Sequence, residues 1–148
     1  MKKEIKTRMH NPLQGTAEHY NSTNRNNDSK NECFYSPSAT SDGCAIGRHL
    51  TGEHAIVAKT LDLDTGNQKE TNLGYVAGGG SDVEQLFRMF EANGIGIPEI
   101  FKDIPVSFLQ ELQTVHDTAS NWYFRGISEV GQKNIDYMSK HISLELYI

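Results

Sequence analysis

Phe124, Ile127, Gly131, Ile135, Met138 and Ile142 recur at spacings of three and four residues. At 3.6 residues per turn they share one narrow arc, and only an amphipathic helix buries such an arc. Two further stripes precede it. Val83, Leu86, Phe87 and Phe90 follow Ser81 and Glu84, the spacing of a capping box, and stop at Gly94. Leu109, Leu112, Val115, His116 and Ala119 follow Pro105, which suits a first helical turn, with Ser107 and Gln110 as a second capping box. Three such helices can close a core.

Upstream, Cys33-Phe34-Tyr35 and Cys44-Ala45-Ile46 are short strand-like runs separated by the turn formers Ser36-Pro37 and Ser41-Asp42-Gly43. A β-hairpin is the economical reading. Thr51 can cap a short helix through Ala55, Ile56, Val57 and Ala58, with a strand as the alternative. The sum is an α+β fold, richer in helix than sheet: about three amphipathic helices packed with a small hairpin, in a single domain at 33–148.

The apolar fraction is only 36%, and much of the deficit lies at one end. Between residues 14 and 32 the apolar side chains are Ala17 and Tyr20, and five Asn fall between Asn21 and Asn31. That composition predicts a flexible polar arm over 1–32, because it buries too little surface to offset backbone entropy. Residues 1–32 carry six Lys/Arg against four Asp/Glu, and the remainder eight against fifteen, so the expected domain is acidic. A second polar gap covers 62–81, with Asp64-Thr65-Gly66-Asn67 as a turn and Gly78-Gly79-Gly80 as a loop. The glycine loop lacks a following Lys and carries Asp82, so it matches no phosphate-binding fingerprint.

A net charge of −5 argues against a general electrostatic grip on nucleic acid. No run approaches the roughly 20 apolar residues of a membrane span, and the N-terminus lacks the apolar segment of a signal peptide. The expectation is a soluble, cytoplasmic protein with no membrane partner. A disulfide between Cys33 and Cys44 does not suit that compartment. Cys33, Cys44, His49 and His54 offer four zinc-ligand types, but the first pair is too widely spaced for a structural zinc site, so neither metal nor cofactor is expected.

Cys44, His116 and Asp117 are the residue types of thiol catalysis. His116 and Asp117 are adjacent on one predicted helix, where side chains diverge by about 100°, which places Asp117 poorly to orient the imidazole. The competing reading makes Cys44 a small buried hydrophobe and His116 a core histidine. Trp122-Tyr123-Phe124-Arg125 is an aromatic cluster able to anchor a partner, although Trp122 and Phe124 also suit the core, leaving Tyr123 and Arg125 outside. With Tyr35, Arg48 and His49 they complete the candidate binding residues: Tyr35, Arg48, His49, Trp122, Tyr123 and Arg125.

The set Cys33-x-Tyr35, Gly43-Cys44-Ala45-Ile46-Gly47, Phe108-Leu109-Gln110-Glu111-Leu112-Gln113-Thr114-Val115-His116-Asp117 and Trp122 resembles a group of uncharacterised small proteins of tailed bacteriophages and prophages. That group carries C-x-Y, G-x-x-C-A-[VI]-G and L-Q-x-x-H-D segments in this order, then a Trp. The resemblance covers about 33–50 and 83–125. Arg48-His49-Leu50-Thr51-Gly52-Glu53 departs from the group's apolar pair and Pro-Asp-Glu helix start, and an Asn-rich segment replaces its leading helix. The resemblance implies a phage source and no mechanism. The expected function is a non-enzymatic accessory protein that binds and inhibits or sequesters a host factor, either a defence protein or a small signalling molecule. The alternative is a thiol-dependent hydrolase or transferase using Cys44 and His116.

Overall fold

The computed structural model describes residues 2–24, 44–67 (side chains to 59) and 83–147. Five α-helices dominate them: α1 (Lys3–His19), α2 (Gly52–Asn67), α3 (Val83–Ala92), α4 (Val106–Asp117) and α5 (Glu129–Ser143). Between α4 and α5 a minimal antiparallel hairpin pairs β1 (Trp122–Tyr123) with β2 (Gly126–Ile127), Trp122 opposite Ile127 and Tyr123 opposite Gly126. The fold is helix-rich with a small two-stranded sheet.

The three sequence stripes are buried apart from the end of the second and the start of the third. Val83, Leu86, Phe87 and Phe90 face inward from α3, and Leu109, Leu112, Val115 and His116 from α4. Gly131, Ile135, Met138 and Ile142 do so from α5. Pro105 stands immediately before α4 in extended backbone, and the last helix starts later than its stripe. Ser128 is its N-cap, accepting the Gly131 N–H on Oγ at 3.0 Å. Phe124 therefore lies in the hairpin turn and is exposed, against its expected place in the core. Ala119 falls in a 3-10 turn beyond α4 and is also exposed.

Three expectations are corrected. Residues 3–19, expected as arm, form α1, which packs along α5 and buries Met9, Pro12, Leu13, Thr16 and Ala17, with Tyr20 just beyond its end. The buried side chains repeat at three and four residues, and that periodicity decides the outcome where mean composition suggested disorder. The remaining arm, 25–32, lies outside the described residues. Cys44-Ala45-Ile46, expected as a strand, is a turn leading into a 3-10 turn at Gly47–His49, because the Arg48 N–H bonds the Cys44 carbonyl at 3.0 Å. Cys33 to Tyr35, the other half of that hairpin, lies outside the described residues, as do Ser81 and Gly78-Gly79-Gly80. Residues 64–67 continue α2 instead of turning, since adding a residue to an existing helix is far easier than starting one.

One core cluster runs from Met9 to Tyr147 and draws on all five helices. Gly131 sits at its tightest crossing: a Cβ there would collide with the Asn121 carbonyl and come within 2.7 Å of Ile127 Cγ1. Gly131→Ala should therefore destabilise by about 1–3 kcal/mol through overpacking, reversing the roughly 1 kcal/mol that Ala gains in a helix. Leu112 is fully buried, and Leu112→Ala should cost about 2–5 kcal/mol. Urea denaturation of both variants measures these losses.

Candidate functional site

The last turn of a helix leaves carbonyls without intrahelical donors. In α4 these are met by side chains from the residues that follow. The Val115 carbonyl accepts Asn121 Nδ2 at 2.9 Å and Trp122 Nε1 at 3.2 Å, and the His116 carbonyl accepts the same indole N–H at 2.9 Å. Asn121 also ties in α5. Its Oδ1 accepts Asn134 Nδ2 at 2.9 Å, and its carbonyl accepts the Ser128 N–H at 2.7 Å. The run from His116 to Trp122 is thus a helix terminator. Trp122, a candidate binding residue, is 5% exposed with its only donor engaged, which removes it from any contact surface.

Under this terminator lies a buried polar cluster. His116 is fully buried, with Nδ1 2.8 Å from Asp117 Oδ1. This corrects the expectation of divergence: Asp117 ends α4, and side-chain torsions span the angle between neighbouring Cβ directions. Tyr20 packs edge-on to His116 with centroids 4.6 Å apart, and Trp122 stands 5.9 Å from Tyr20. Cys44 is also fully buried, and its Sγ accepts the Gly47 N–H at 3.3 Å. The imidazole and carboxylate therefore meet, whereas no hydrogen bond joins the thiol to His116. Nδ1 faces Asp117, and Nε2 has no hydrogen-bond partner among the described residues. A nucleophile needs a base within reach and a path for substrate, and Cys44 is fully buried with no hydrogen bond to His116.

The exposed candidates gather elsewhere. Between β1 and β2 the two-residue loop Phe124-Arg125 leaves Phe124 70% exposed and Tyr123 46% exposed. The Arg125 guanidinium lies 5.2 Å from the Phe124 ring centroid. Behind the tip, the Ser22 N–H bonds the Tyr123 carbonyl at 3.0 Å, so the chain leaving α1 braces the hairpin. Sequence reasoning missed Phe124 as a surface residue because its spacing continued the α5 stripe.

Arg48 and His49 are half-buried beside α1, whereas Tyr35 lies outside the described residues. His54, a possible metal ligand, instead bonds the Gly96 carbonyl at 3.1 Å and packs on Phe90. Among the described residues no three His, Cys, Asp or Glu side chains converge as metal ligands. No helix among the described residues is long and apolar enough to cross a membrane.

Burial pushes His49 down to about 4, assisted by the positive charges of Arg48 and then His19. Between that value and the ordinary histidine value of 6.5 the unfolded chain binds the extra proton. Stability contributed by neutral His49 is therefore complete above about pH 6.5 and lost as pH falls toward 4, by up to about 3 kcal/mol. Denaturation midpoints from pH 7 to 4 should fall less steeply for His49→Gln than for the parent. Asn121→Ala, which removes one donor from the buried Val115 carbonyl and the acceptor of Asn134 Nδ2, should cost about 1–3 kcal/mol in the same assay.

No protein-family model matches the chain, and neither does any curated protein or solved structure.

Proposed function

We propose that this chain is a phage-encoded accessory protein that acts by binding, engaging a host protein in the cytoplasm and inhibiting or sequestering it. Its contact surface is the hairpin tip of Tyr123, Phe124 and Arg125. The observation that carries this reading is an aromatic ring 70% open to solvent on a two-residue loop, with an arginine across its face. Aromatic and arginine side chains dominate the anchors of protein interfaces. A short loop braced by Trp122 on one side and Ser22 on the other is already ordered, so association costs little conformational entropy. The phage source rests on the motif resemblance, and a defence protein is the class of host factor that such a source suggests. Complete burial of Cys44 counts against the thiol-enzyme reading.

Affinity capture from bacterial host lysate tests the proposal with three proteins side by side. The parent should retain a host protein in near-stoichiometric amount. Combined Phe124→Ala and Arg125→Ala should weaken that capture at least about tenfold, equivalent to about 1.4 kcal/mol, with the thermal midpoint unchanged. Cys44→Ser should keep the partner. Loss of capture in a Cys44→Ser protein of unchanged stability, with the tip variant still binding, would overturn the reading in favour of the thiol.

A further inference from the structure

Arg8, Asn11, Pro12, Gly15 and His19 recur at helical spacing and share one side of α1. Arg8, Asn11 and Pro12 line a cleft of about 170 Å³ completed by His49 and Ile100. Arg48, the residue before His49, lays its guanidinium on Gly15, one turn further along the same stripe. A Cβ at Gly15 would stand 2.6 Å from Arg48 Nη2, so only glycine admits this approach. The guanidinium carbon also stands 5.9 Å from the centre of the Tyr20 ring.

The cleft has two arginines beside it and an imidazole in its wall. Among the described residues, Arg8, Arg48 and His49 have no ion pair with a carboxylate, although the chain as a whole is acidic at −5. Arg8 spends Nη2 on the carbonyls of Glu99, at 2.6 Å, and Ile100, at 3.2 Å, which orients the guanidinium. Arg48 Nε and His49 Nε2 are buried without a hydrogen-bond partner. Uncompensated cations and unpaired buried polar atoms cost stability unless an anion completes them.

We propose that the cleft between α1 and the Gly47–His49 turn is an anion site that takes a phosphate group, as free phosphate or as a small monoester. Arg8, Asn11 and His49 contact the phosphate, the neutral imidazole donating through one N–H, and Arg48 adds charge from the adjoining turn. Donors arriving from two separate segments suit a tetrahedral anion better than a planar carboxylate. The cleft holds a phosphate and leaves the remainder of a monoester outside. This site is separate from the hairpin tip and does not depend on it.

Titration of the full-length, isotope-labelled chain with inorganic phosphate, adenosine 5′-monophosphate and acetate tests the proposal by NMR and calorimetry. Phosphate should give saturable shifts confined to Arg8, Asn11, Arg48 and His49, with a dissociation constant on the order of 1 mM or tighter. Tighter binding of the monophosphate would assign the monoester, and equal or weaker binding would assign free phosphate. Arg48→Gln should weaken binding at least about tenfold. Gly15→Ala retains every charge but pushes the guanidinium aside, so it should weaken binding too, which keeps the test decisive if Arg48→Gln loses its fold. Combined Phe124→Ala and Arg125→Ala should leave phosphate binding intact. Shifts that never saturate, undiminished affinity in both Arg48→Gln and Gly15→Ala, or acetate binding as tight as phosphate would each overturn the site.

Discussion

The carbonyls of Val115 and His116 end a helix inside the protein, where water cannot serve them, and the indole and amide that reach back to them organise much of the structure. Leaving such a group unpaired costs about 1–3 kcal/mol, a large part of an ordinary domain's net stability. Three hydrogen bonds from Asn121 and Trp122 remove that cost. They also dictate what comes next. With Trp122 folded inward, Tyr123 must face outward by the alternation of a strand, and the chain turns at Phe124-Arg125. Asn121 then receives Ser128 and Asn134, which sets the start and approach of α5, and α5 in turn carries α1.

The same closure surrounds the residue types of thiol catalysis. His116 and Asp117 meet at 2.8 Å, as a base and its orienting carboxylate would. Their setting is packed by Tyr20 and Trp122, however, and Cys44 turns its sulfur to the Gly47 amide. Chemistry requires a reacting atom that substrate can approach, and both Cys44 and His116 have zero exposure.

Two surfaces among the described residues depart from what folding alone demands. A large aromatic ring held in solvent on a braced loop gains nothing for stability, since its apolar area stays wet. Arg8 and Arg48, beside the cleft, have no ion pair among the described residues, and like charges brought near one another lower stability. Both features accord with the two contacts proposed. They differ in chemistry, one being apolar with a single charge and the other cationic, so they suit different ligands.

Periodicity in the sequence was enough to locate α3, α4 and α5 and the faces they bury, because side chains three and four apart on a helix share one side whatever packs against it. It failed where mean composition was allowed to outweigh spacing. Met9, Leu13 and Tyr20 carry the same repeat, yet their polar surroundings suggested an arm, and only the presence of α5 to bury them makes a helix there. The sequence likewise contained the residue types of the site without their assignment. Trp122 and Phe124 are both aromatic and two apart, and a helix stripe claimed the second. Which ring goes inward was decided by the unpaired carbonyls of α4, a constraint that exists only once the helix has an end inside a core.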